Sequence, residues 1–304
     1  MSRTIYLAGQ WLPEAEAKVS IYDLSVMQAA AAFTMMRSFN RVMFKLDAHL
    51  ARLEQSCNLL GIKLPMPLPQ IEQVCLEAQA RNPHEPDDEH RLLIVVSPGA
   101  APIYHEIDGV QKASWLYIAD FPLRMTVAGM GTSYETGVEA VTSKIMHISS
   151  RAIPAEAKHR SRLHFHLAQQ QAIGKWALLT DGQAWLEAPG ANLCSVYDDT
   201  LFFHTRNALP GITMATVREM AKRKKWRVRE SDDWMSDPKR LDELWLMGTP
   251  FCLLAVKSVD GILIGAGKPG PRYIEMIHDW SIMTGVDIPR QIARWDAERE
   301  RVPR

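Results

Sequence analysis

The sequence predicts an α+β protein of two domains, a small N-terminal α/β sandwich-like domain and a larger C-terminal mixed domain. Three observations carry this reading. At 304 residues the chain is longer than one ordinary core requires. Its first part reads as strands and hairpins followed by helical periodicity, whereas its second half alternates strands and helices. Between them, residues 121–132 contain Pro122, Gly129 and Gly131 and interrupt both patterns. The expected division is residues 1–122, a linker at 123–131, and residues 132–304.

Each element has its own signal. Residues 4–12 are strand-like and break at Ala8-Gly9-Gln10, which predicts two short strands around a turn. Residues 18–22 and 33–39 read as further strands, the second turning through Asn40 into 42–46. Asp47 is a plausible N-cap for a helix in which Leu50, Leu53, Cys57 and Leu60 recur at helical spacing, and Gly61 ends it. A second helix is expected at 71–81, a polar loop at 82–89, and apolar strands at 92–97 and 115–119. Beyond the linker the pattern predicts a helix at 159–173 and strands at 176–179 and 193–197. A helix at 212–224, a strand at 227–229 and a short helix at 238–242 follow. A buried strand at 244–247 and a final amphipathic helix at 273–283 complete the order. Asp181-Gly182 reads as a hairpin turn.

Composition narrows the function classes. The chain is 47% hydrophobic and 23% charged, and 35 Lys and Arg balance 35 Asp and Glu. Without a positive excess neither nucleic acid nor an anionic membrane is an expected partner, which leaves small molecules. The basic run at 222–225 falls at a helix end, where it suits the dipole. No stretch approaches the roughly 20 apolar residues of a membrane helix, and the N-terminus lacks a signal h-region. Cys57, Cys75, Cys194 and Cys252 are far apart and read as buried thiols of a reducing compartment, with the cytoplasm as the expected location. No metal site is expected: His164 and His166, two apart on a helix, point to different faces.

The residues with chemical potential are Lys158, Glu187, Arg52 and two glycine-containing turns. Lys158 heads the predicted helix at 159–173, and Glu187 follows 29 residues later in Glu187-Ala-Pro-Gly-Ala-Asn192. A lysine amine can hold a carbonyl cofactor as a Schiff base, and a carboxylate can keep a pyridine nitrogen protonated. Arg52 lies beside the core face of its helix, and its guanidinium fork matches phosphate oxygens. Gly211-Ile212-Thr213 opens a helix whose N-terminal amides suit an anion, and Gly248-Thr249 offers similar groups at a strand end. Taken singly, each has an ordinary reading: a surface arginine, a helix start, a turn. Lys144 is a rival reactive lysine without an ordered carboxylate behind it.

In order along the chain, Asp23, Arg37, His49-Leu-Ala-Arg52-Leu53, Lys158, Glu187 with Asn192, Gly211-Ile212-Thr213 and Gly248-Thr249 resemble the class IV aminotransferases, the fold-type IV enzymes that use pyridoxal phosphate. The resemblance spans roughly residues 5 to 265 and implies that Lys158 carries the cofactor and moves the substrate proton. It further implies that Glu187 pairs with the pyridine nitrogen, and that Arg52, Ile212, Thr213 and Thr249 hold the phosphate. Members of the family are homodimers, so a homodimer is expected.

The substrate side departs from the family pattern. Gln28 stands where branched-chain enzymes carry an aromatic residue, and Thr34 replaces the usual glutamate. The stretch Gly99-Ala-Ala-Pro-Ile103-Tyr-His105 resembles that of D-amino acid enzymes but has Ile103 in place of their arginine. Met214 follows Gly-Ile-Thr where an arginine is usual. Gln28, Phe33 and His105 are the expected substrate-pocket residues. Arg162-Leu163, four and five after the lysine, resembles aminodeoxychorismate lyase. The expected activity is transfer of an amino group from an amino acid or amine, with an apolar side chain favoured, to a 2-oxo acid. A lyase of the aminodeoxychorismate type and a non-catalytic scaffold are the alternatives. The retained Lys158 and Glu187 weigh against the scaffold.

Overall fold

The computed structural model describes residues 3–231 and 233–300, and the chain divides into two compact units. The first contains the chain up to Met125 together with Ala157–Arg162; the second contains Thr126–Glu156 and the chain from Leu163 onward. The return of Ala157–Arg162 to the first unit departs from the expected domain at 132–304. Main-chain pairing is the cause. Phe33 N donates to the Lys158 carbonyl at 2.9 Å and Arg160 N to the Ala31 carbonyl at 2.9 Å, and Ala32 and His159 form an antiparallel bridge.

The first unit has strands β1 (Thr4–Leu7), β2 (Gln10–Pro13), β3 (Ala32–Phe39), β4 (Val42–Met43), β5 (His90–Ser97) and β6 (Trp115–Pro122). They form one antiparallel sheet in the order β2-β1-β6-β5-β3-β4. Both short hairpins close through two residues of positive φ, Ala8-Gly9 and Asn40-Arg41, the turn whose twist matches paired strands. Residues 18–22, expected as a strand, are not one. There Asp23 accepts from Ser25 N at 2.8 Å and caps the single helical turn Leu24–Met27.

Strand alternation gives this sheet two faces. Met36, Leu92, Ile94 and Ile118 pack under the helices Leu46–Leu59 and Leu68–Arg81, which contribute Leu50, Leu53, Ile71 and Cys75. Phe33 and Val95, with Ala31, form a smaller apolar cluster against which Leu93 and Tyr117 pack. The first helix begins one residue before Asp47, with Lys45 at φ 52° as its N-cap. Asp47 is therefore a first-turn acid that complements the dipole and is not the cap. Near the end of the second helix, Asp120 is fully buried, lies 2.7 Å from His90 Nδ1, and has His84 Nε2 at 3.2 Å. These residues are the one group of metal-ligand type among the described residues. The 2.7 Å contact is a hydrogen-bond length, shorter than the ~3.3 Å between neighbouring ligands on a tetrahedral zinc.

The second unit has β7 (Val138–Thr142), β8 (Trp176–Thr180), β9 (Trp185–Ala188), β10 (Ala191–Tyr197), β11 (Thr200–Phe203), β12 (Arg227–Glu230), β13 (Glu243–Gly248), β14 (Cys252–Val259) and β15 (Ile262–Leu263). Their order is β12-β11-β10-β13-β14-β7-β8-β9, with β15 on β14 and β9 pairing back to β10. That last pairing closes six strands into a barrel and covers the edge of β9, leaving β12 at an edge. Helix Leu163–Ala172 lies on β8 through Phe165, Ala168 and Ala172. It starts later than the expected 159 because His159 pairs with Ala32 and Arg160 N with the Ala31 carbonyl. The helices Ile212–Arg223 and Pro271–Thr284 pack on β13 and β14. An unexpected helix, Ile288–Glu300, follows and presents Asp296 to Gly129 N and Gly131 N at 2.7 Å each. All four cysteines are buried and free, and no described helix is long and apolar enough to cross a membrane.

The core of this unit holds a neutral histidine with a measurable consequence. His204 donates from Nδ1 to the Trp185 carbonyl at 2.9 Å and accepts at Nε2 from Ser195 Oγ at 2.8 Å. Burial lowers its pKa to about 4, and the bond to Trp185 only partly opposes this. As pH falls below 6.5 the unfolded chain takes up a proton that the folded chain refuses until about pH 4. Stability is therefore present above pH 6.5 and lost across the window down to pH 4, by about 3 kcal/mol in all. Denaturant midpoints at pH 4.5 and 7 should differ by less in His204→Asn than in the unaltered protein. Equal pH dependence in the two would remove His204 as a source.

Candidate active site

In the first unit the lysine is held by its backbone. Lys158 N donates to Ser56 Oγ at 3.0 Å while its carbonyl accepts from Phe33 N. The expected position at the head of a helix is therefore corrected: Lys158 precedes the bridge residue His159, and the helix starts at Leu163. Its Nζ stands 4.8 Å from the centre of the buried Phe33 ring. On the other face of β3, Arg52 Nη2 donates to Thr34 Oγ1 at 3.2 Å, and Thr34 Oγ1 lies 2.9 Å from His49 Nδ1. Burial, then the positive Arg52 and Lys158, hold the His49 imidazole well below its ordinary range. His49 is thus neutral and pairs with the Thr34 hydroxyl. The Arg52 guanidinium is buried and lowered to about 10 by desolvation, so it keeps its charge at neutral pH. Thr34 links the two.

In the second unit the spacing Glu187 to Asn192 is a β-hairpin. Ala188 pairs with Ala191 and Glu187 with Asn192, leaving Pro189-Gly190 as a two-residue turn with Gly190 at φ +84°. Proline followed by a glycine of positive φ suits a type II turn. Glu187 Oε1 lies 2.7 Å from His147 Nε2, and His147 Nδ1 lies 2.8 Å from the Ile148 carbonyl. A carbonyl only accepts, so Nδ1 carries a proton, and Nε2 faces the carboxyl group. His147 went unnoticed in the sequence because 40 residues separate it from Glu187 and only the barrel joins them. His164 and Phe165 pack edge-on against its ring.

The glycine turns lie against the same hairpin. Asn192 Nδ2 donates to the Leu209 carbonyl at 2.7 Å, which fastens the turn before the helix Ile212–Arg223. A Cβ on Gly211 would lie 1.9 Å from Asn192 Oδ1, and one on Gly248 would lie 2.4 Å from the Phe251 ring and 3.0 Å from the Gly190 carbonyl. Neither position accepts a side chain without displacing its neighbour. Gly211 is the N-cap and supplies no side-chain cap, so the first amides of this helix suit an anion. Ile212 and Thr213 are buried and Thr249 is half-buried. The donors of this unit fit the phosphate and the ring nitrogen of a phosphorylated pyridine cofactor: a helix start that lacks a side-chain cap, and a buried carboxylate held by an imidazole.

The other expected residues divide. Phe33 is joined to Lys158, as described. Gln28 is exposed at the end of Leu24–Met27. His105 donates from Nε2 to the Ala100 carbonyl at 3.1 Å, and Ile103 is 80% exposed. The last two lie on the turn joined to Asp23 by the Asp23–Ala100 bridge, outside the Lys158–Phe33 contact. Asp23 itself accepts from Ser25, Ser97 and Trp115, and Arg37 is buried over the Phe39 ring. Both are structural.

Comparison with known proteins identifies the family. The family model described as amino-transferase class IV matches residues 31–259. The branched-chain-amino-acid aminotransferase of Escherichia coli K12 is 25% identical over 281 residues, covering 88% of each chain. The D-alanine aminotransferase of Bacillus licheniformis is 24% identical over 269 residues, covering 86% of this chain and 90% of its own. A crystal structure of the Escherichia coli branched-chain enzyme matches with a TM-score of 0.81 at 23% identity, covering 94% of each chain. At that identity the likeness speaks to the fold.

Proposed function

Because the chain belongs to the class IV aminotransferase family and its cofactor is pyridoxal phosphate, we propose that it moves an amino group from an amino acid or amine with an apolar side chain to a 2-oxo acid. The observation that carries the apolar preference is the cluster of Ala31, Phe33 and Val95, backed by Leu93 and Tyr117, with the Lys158 amine over its Phe33 ring. Relatives named for branched-chain amino acids and for D-alanine support an amino acid of modest size.

The roles follow from the chemistry of each group. When bound, the cofactor supplies an electron sink for the bond breaking at the substrate carbon. Lys158 is the group that carries it and then moves a proton to and from that carbon, since an amine clamped at both neighbouring peptide groups is well aimed. Glu187, held by His147, meets the pyridine nitrogen. Arg52, the amides at Ile212 and Thr213, and Thr249 hold the phosphate. A homodimer in a reducing compartment is part of this reading, supported by the family pattern and by four buried free thiols.

Purified protein incubated with pyridoxal phosphate should convert a 2-oxo acid to its amino acid only when an amino donor is present. Arg162-Leu163 favours one second reading, a lyase. Pyruvate release from an amino-substituted ring without an acceptor would establish that reading, and neither product would sink both.

A further inference from the structure

Helix Leu46–Leu59 carries two stripes side by side. Leu50, Leu53 and Cys57 form the apolar one, which packs on the sheet. His49, Arg52 and Ser56 lie one position earlier at the same helical spacing, and all three are buried. A buried polar stripe destabilises unless each member is bonded. His49 and Arg52 meet at the Thr34 hydroxyl on β3. Ser56 bonds differently: its hydroxyl accepts from Lys158 N at 3.0 Å and donates to the Arg52 carbonyl at 2.8 Å. A peptide N–H only donates and a carbonyl only accepts, so both directions are fixed and the hydroxyl has used its one proton. The contact closes 102 residues of sequence. Arg52 and Lys158 both act on His49 as positive charges, so the two cations share its neighbourhood.

We propose that Ser56 is a positioning residue of this enzyme: it ties Lys158 to the helix turn that bears Arg52, and so makes the site select the phosphorylated cofactor. The inference rests on the reading that Lys158 carries the cofactor and Arg52 holds its phosphate. A ligand gripped at its aldehyde by one residue and at its phosphate by another is held at two points. Its affinity depends on how well those points are set before it arrives. Arg52 is set by its helix and by Thr34. Lys158 has its carbonyl taken by Phe33 N on β3 and its N–H taken by Ser56, so the Ser56 hydroxyl supplies the tie to the helix. The helix itself does not ask for a hydroxyl here. Alanine is the better helix former, and a serine bonded back to the carbonyl four residues earlier slightly destabilises the helix. That back-bond has a use for Lys158, because it locks the hydroxyl in rotation and aims its lone pair.

Equilibrium titrations with pyridoxal phosphate and with unphosphorylated pyridoxal, each followed by the near-visible band, test this without reading activity. In Ser56→Ala the preference for the phosphorylated form should fall about 3- to 10-fold, the cost of ordering one freed side chain on binding. Ser56→Cys, close in volume but a weak acceptor, should do the same and stands in for the alanine variant if that one fails to fold. Ser56→Thr keeps the oxygen and its bond to the Arg52 carbonyl, and should keep the preference. In an Arg52→Met background the preference should already be small, and Ser56→Ala should lower it no further, because the tie has no second point to align. A preference unchanged in a folded alanine or cysteine variant overturns the assignment. So does an equal loss of affinity for the two compounds, since Ser56 then serves Lys158 without reference to Arg52. Absence of the band in the unaltered protein, or of any preference for the phosphorylated form, would instead bring down the functional reading together with this one.

Discussion

Lys158→Ala is expected to yield a folded protein that takes on no near-visible absorbance with pyridoxal phosphate and transfers amino groups about 10^4-fold more slowly. Folding should survive because the contacts that fix this position are main-chain ones. Ser56 Oγ accepts from the peptide N–H, and the carbonyl accepts from Phe33 N, and alanine keeps both. Borohydride reduction followed by peptide mapping gives the sharpest measurement. The unaltered protein should carry a phosphopyridoxyl mass on the peptide containing residue 158, and the variant should carry none. A label on the exposed Lys144 would transfer the role to that residue.

Glu187→Gln should have the next largest effect. The amide keeps the size of the side chain but loses the charge that complements a protonated pyridine, so transfer should slow by about 10^2- to 10^3-fold. Cofactor binding should persist, because the turn at Gly211 and the start of helix Ile212–Arg223 do not depend on that charge. Single-turnover kinetics with a saturating amino donor would separate the two effects. Turnover equal to that of the unaltered enzyme would remove Glu187 from the pyridine.

Much of the site was legible because its signals are local. The spacing Glu187 to Asn192 is what a two-residue turn demands of paired strands, and glycines at 211 and 248 stand where a Cβ would collide. Both hairpins of the first unit and both of its long helices follow from turn residues and periodicity. Non-local features were hidden. Lys158 looked like a helix head because the apolar pattern after it is helical, yet pairing with Ala31 and Phe33 overrides local preference in residues 157–162. His147 reaches Glu187 across 40 residues of sequence. Strand β7 is short, and helix Ile288–Glu300 is rich in charge and carries Pro289 in its first turn, so neither stands out from loop sequence.

Barrel closure between Glu187 and Asn192 constrains how this enzyme can diversify. Adding one residue to the Pro189-Gly190 turn would slip the register and send the carboxylate to the opposite face. The hairpin therefore tolerates substitution poorly and insertion hardly at all, and its tip offers no freedom for tuning. The turns carrying Gln28 and Ile103 are exposed and close no barrel. In directed evolution, libraries built at 187–192 should return mostly dead clones, while changes on those exposed turns should leave the barrel intact.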